Sequence, residues 1–134
     1  MSFEFDESRW PLVLTTWRGS PSDEEFSSML SRVDGWLGRG QRFGLLIDAR
    51  GGGGFSPEQR REVIAHMKRN SERTARLLIQ ATVIDNLVQR TLFYGMNLLF
   101  PNPFPSKVFA ELEPARAWLL ERLAGERPSL ERQL

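Results

Sequence analysis

The sequence of 134 residues contains no cysteine and a single histidine, His66. The first absence removes disulfides, thiolate nucleophiles and zinc–thiolate sites, and the second leaves no pair of imidazoles for a metal centre. Neither a metal nor a cofactor is expected. A surplus of one charge is also missing: 18 basic and 17 acidic side chains leave a formal net charge of +1. So balanced a field gives no general attraction to nucleic acid or an anionic membrane, and any such contact would need a local patch. No apolar run reaches transmembrane length. The opening residues, MSFEFDESRW, are acidic and lack a basic stretch leading into an apolar core, so they do not read as a secretion signal, and a cytoplasmic protein is expected.

What is present suits one α/β domain. With 40% hydrophobic and 26% charged residues, the chain is long enough to bury about two thirds of the surface its unfolded form exposes, around one core. Residues 3–6 and 11–18 are rich in β-branched and aromatic side chains and read as an edge strand followed by a longer one. Ser22 and Glu25 have capping-box spacing before a helix whose stripe is Phe26, Met29, Leu30, Val33, Trp36 and Leu37, with Gly38 and Gly40 as its stop. FGLLID, 43–48, is a continuous apolar run of the kind buried on both sheet faces. Ser56, Pro57 and Gln59 then read as N-cap, first helical residue and capping partner of a mostly exposed helix reaching Arg76. A strand over 76–85 follows, then a helix capped by Asn86 and Gln89 and ended by PNPFP. SKVFAEL supplies the last strand, and EPARAWLLERL the last helix, with Pro114 in its first turn. The expected fold is a mostly parallel five-stranded sheet with an antiparallel edge strand and four helices, over residues 1–124, with 125–134 as a flexible tail.

This order of elements resembles the STAS group of anti-sigma-factor antagonist domains, and more closely its SpoIIAA-like relatives. WPLVLTTWRG before the first long helix, FGLLIDARGGGGFSPEQRREV, LLIQATVID and SKVFAELEPARAWL carry the resemblance, which spans about Phe3 to Leu123. The resemblance implies a non-catalytic bacterial regulatory module that works by binding proteins. Phosphorylatable STAS domains have an Asp-Ser-Ser-Gly-like turn at a helix start. Here that place is taken by Asp48, Ala49, Arg50 and glycines, so Ser56 is the one candidate phosphosite. An N-cap hydroxyl, typically contributing about 1 kcal/mol, accounts for a serine there without phosphorylation.

Two regions are candidates for function. The first is the turn containing Asp48, Arg50, Gly51, Gly52, Gly53, Gly54 and Ser56. Its main reading is a slack loop closed by a capped helix. The other is a partner- or anion-binding rim, because a helix start offers unpaired amides and Arg50 a planar fork. The glycine spacing fits neither the P-loop nor the dinucleotide pattern. Asp48 and Asp85 both end strands, but no nucleophile stands with them, and capping the turn is the commoner work of such an aspartate. His66 reads as a surface or half-buried residue, and the arginine-rich helix as a solvated face laced with acids.

The second region is LVQRTLFYGMNLLFPNPF, 87–104. Leu92, Phe93, Tyr94, Met96, Leu98, Leu99 and Phe100 point in too many directions to meet one sheet, since successive helical residues are about 100° apart. Phe104 and Trp118 are candidates to extend the patch. The preceding and final helices of the same chain are the first candidates to cover the surplus, followed by a second copy, a partner protein or an apolar ligand; a self-associating protein-interaction module is expected, with a homodimer as its simplest form. The alternatives are a carrier for a small apolar, lipid-like ligand and an anion- or nucleotide-binding protein using Gly51–Gly54.

Overall fold

A computed structural model describes the backbone of residues 2–99 and 101–133, and the side chains of 2–95, 97–99 and 101–125. The elements in chain order are β1 (Phe3–Arg9), β2 (Leu12–Gly19), α1 (Asp23–Gly38), β3 (Phe43–Gly52), α2 (Pro57–Arg69), α3 (Ser71–Leu77), β4 (Leu78–Val83), α4 (Leu87–Leu99), β5 (Ser106–Phe109) and α5 (Leu112–Gln133). The strands lie side by side in that same order; β1 and β2 are antiparallel, and β2 to β5 are parallel.

Strand alternation divides the interior in two. On one face Val13, Phe43, Leu45, Ile47, Leu78 and Val108 meet Trp36 and Leu37 of α1, and Phe3 joins Phe26 and Met29 beside them. α1 to α4 all contribute to this side. On the other face Leu12, Leu46, Ile79, Ala81 and Val83 pack against Ala115 and Leu119 of α5 alone. Gly44 lies under that helix, where an added Cβ would come 3.2 Å from Leu123 and 3.3 Å from Leu119. A clasp ties the hairpin to α1: Glu7 accepts from Arg32 at 3.1 Å and Arg39 at 2.7 Å, while these guanidinium groups lie over Phe5 and Trp10.

The structure corrects several expectations. The helix expected to reach Arg76 is two helices, because Asn70 leaves the helical region at φ −109°, ψ 16°. Five helices result instead of four, and β4 starts at Leu78 because Arg76 and Leu77 belong to α3. His66 is buried, with Nε2 2.7 Å from Oδ1 of the half-exposed Asp34 on α1, so it ties α2 to α1. Beyond these corrections, α5 runs on through the backbone of 125–133.

Candidate interaction surfaces

The glycine turn grows out of β3. Gly51 and Gly52 extend the strand, paired with Arg18 and Gly19, and the Gly53 amide donates to Gly19 O at 2.8 Å. A Cβ at Gly53 would fall 2.7 Å from Ser20 Oγ, and one at Gly51 3.1 Å from Trp17 O. The glycines therefore permit close approach to the end of β2. Of the four glycines 51–54 only Gly54, at φ 89°, uses the left-handed region. The slack-loop expectation thus gives way to a packed strand end.

The charged groups beside this turn hold one another. Arg50 Nε and Nη2 donate to Asp48 Oδ1 and Oδ2, both at 2.8 Å, in a forked pair. These hydrogen bonds hold the Asp48 carboxyl below its usual value, against partial desolvation that pushes it up. The same pairing raises the Arg50 guanidinium. Asp48 is thus a poor proton acceptor, and the fork of Arg50 is already filled. Asp85 is exposed nearby and acts on Arg50 only as a charge.

Ser56 stands where capping chemistry places it. Its Oγ accepts the Gln59 amide at 3.1 Å, and Gln59 Oε1 accepts the Ser56 amide at 3.0 Å. Gln59 is buried, and its Nε2 donates to Pro21 O and Asp23 Oδ1, each at 3.1 Å. One side chain thereby completes the cap of α2 and locks it to the start of α1.

α4 presents the unusual surface. Phe93 turns inward onto the core, flanked by half-buried Arg90 and Asn97. At about 100° per residue the opposite arc carries Leu87, Val88, Thr91, Leu92, Tyr94, Gly95, Leu98 and Leu99, none of them charged. Leu98 is 86% exposed, Leu99 74%, Leu87 70% and Val88 68%. This polarity is the reverse of an ordinary surface helix, whose apolar stripe faces the core. The Asn86 cap is present, with Oδ1 accepting the Gln89 amide at 3.1 Å.

Of the seven expected interface residues, Leu92, Tyr94 and Leu99 are on this outward arc. Phe93 faces the core, and Phe104 is buried within it, so neither belongs to the exposed patch. Met96 and Phe100 lie outside the described side chains. Trp118 packs on Phe109 at the opposite face of the sheet, so it does not extend the patch. Leu87 and Val88 were missing from the expected set, although the capping signal at Asn86 puts both on the first turn of the helix.

No family model matches the chain, and no curated protein does. Solved structures do. An uncharacterised protein of the DUF3478 family with a SpoIIAA-like fold, from Shewanella loihica PV-4, superposes with a TM-score of 0.67 at 16% identity, covering 87% of this chain and 91% of that one. An anti-sigma factor antagonist from Mycobacterium paratuberculosis gives 0.53 at 9% identity, covering 87% and 92%. The fold is SpoIIAA-like.

Proposed function

We propose that the protein is a non-catalytic regulatory module that works by docking the outward face of α4, with a second copy of the chain as its first partner. The uncharged arc from Leu87 to Leu99 carries this reading. Two such arcs can meet without burying like charges, as a two-fold contact requires of a surface that faces itself. Thr91 and Gly95 form a low strip between the leucines of the two flanks, which lets another helix approach closely. The fold it shares with an anti-sigma factor antagonist supports a regulatory use of that contact.

Its strength can be bounded. Six or seven side chains burying roughly 60–120 Å² apiece give at most about 800 Å², the area that one partner contributes to a standard interface. A micromolar dimer fits that size, and so does exchange for another protein partner. The rim from Asp48 to Ser56 offers a second, more rigid contact, in which Ser56 serves as a cap. A lipid-like carrier would turn its leucines toward an enclosed cavity, whereas these point to solvent.

Sedimentation equilibrium of the full chain, from low micromolar to near-millimolar concentration, tests the reading. The average mass is expected to rise toward that of two chains. A mass that stays at one chain throughout would overturn self-docking.

A further inference from the structure

α5 packs chiefly on β3, β4 and β5, leaving the far side of its sheet face partly open. A recess of about 140 Å³ lies there, lined by Asp6, Arg9, Leu12, Leu14, Leu46 and Arg116. Its floor is apolar, because Leu12, Leu14 and Leu46 sit at alternate positions of two neighbouring strands and face the same way. Its rim is charged. Asp6 Oδ1 accepts from the Ser8 hydroxyl at 2.6 Å and the Ser8 amide at 2.9 Å, and Arg9 stands beside that carboxylate as its counter-charge.

Arg116 is left over. It has no hydrogen bond or ion pair among the described residues, and its Nε is buried away from solvent. Arg90 Nε is enclosed in the same way, but of the two only Arg116 lines the recess. Its two Nη groups are the donors that solvent reaches, and they can hold a carboxylate end-on in a fork. The leucine floor below asks for an apolar group on the same molecule.

We propose that this recess binds a short-chain monocarboxylic acid, its carboxylate on Arg116 and its branched apolar end on Leu12, Leu14 and Leu46. Size sets the limit: a cavity of about 150 Å³ accommodates benzene, so an acid of four to six carbons fits and a long acyl chain does not. Asp6 sharpens the choice, because it opposes a second negative charge on the ligand. The site lies across the sheet from α4, so it is independent of self-docking and can be occupied in monomer and dimer alike.

Isovalerate is the probe, titrated into the isotope-labelled full chain and followed by amide chemical shifts. Saturable shifts are expected in β2 and the first turns of α5. Isopentanol, without the carboxylate, and acetate, without the branched end, should each bind at least about tenfold more weakly. Arg116→Gln should weaken isovalerate by about tenfold or more, while Arg122→Gln, further along α5 over Trp118, should leave it unchanged. The proposal is overturned if isovalerate does not saturate, if acetate matches it, or if the two arginine variants weaken it equally. Should Arg116→Gln fail to fold, the comparison of the three ligands on the unaltered protein decides the matter by itself.

Discussion

Replacing Leu92 with lysine separates an outward-facing interface from an internal core. Leu92 is 66% exposed in the single chain, so only about a third of its side chain is at stake there. At roughly 25 cal/mol per Å² of apolar surface, that third is worth less than about 1 kcal/mol. Lysine has nearly the same helix propensity as leucine, so α4 itself should persist. In a two-fold dimer each change is counted twice. Burying the other two thirds of the leucine is worth about 1–2 kcal/mol, so two copies lose about 2–4 kcal/mol, or about one and a half to three decades in dissociation constant. The charge of the two ammonium groups adds to that. The control is Phe93→Ala, one residue along but turned onto the core. It should destabilise the fold by about 2–3 kcal/mol, with little effect on association while the chain stays folded. Thermal unfolding and sedimentation, run on both variants, give the two numbers. The reasoning fails if Leu92→Lys lowers the melting temperature as much as Phe93→Ala does. It fails equally if the wild type dimerises and Leu92→Lys leaves that mass unchanged.

Other outcomes test the fold around the glycine turn. Ser56→Ala should cost about 1 kcal/mol in denaturant unfolding and Ser56→Asp much less, because aspartate caps as well as serine; equal losses would show that the hydroxyl does something other than cap. Gly35→Ala, on the exposed side of α1 with nothing within 4 Å of the new Cβ, should stabilise by up to about 1 kcal/mol, whereas Gly53→Ala should destabilise through its clash with Ser20; the opposite order would mean that the turn is not packed on β2. The third concerns acid. With its folded pKa below the unfolded value near 3.8, Asp48 contributes stability that is complete above that value and is lost as the pH falls through it and past the folded one. Arg50→Met should therefore melt below the wild type at neutral pH and converge with it below about pH 4; curves that stay parallel would refute the pairing.

Much of this was legible in the residues themselves. FGLLID announced a strand covered on both faces, and Ser22 with Glu25 and Ser56 with Gln59 announced two helix starts, because these signals act within a few residues of each other. α4 was legible in a different way: its apolar residues occupy so many angles that some must face away from the sheet. Which ones do so depends on tertiary placement, which turns Leu87 and Val88 outward and Phe93 and Phe104 inward. The burial of His66 is not readable locally, because its partner, Asp34, is 32 residues away on another helix. The strand character of Gly51 and Gly52 comes from pairing with Arg18 and Gly19, since glycine has little preference of its own for a strand. The break at Asn70 is local, but the flanking sequence KRNSERTAR keeps a helical composition across it.

The order of the strands has a consequence for how large an assembly can grow. Both outer strands are poor templates for adding another: β5 is four residues long, and β1 carries Glu4 and Asp6 with an irregular register between Asp6 and Arg9. Short, acidic and kinked borders discourage end-to-end stacking of sheets. Under the proposed self-docking, copies joined through α4 would use up the same surface on each, so growth would stop at a pair and filaments would be denied a route from either side.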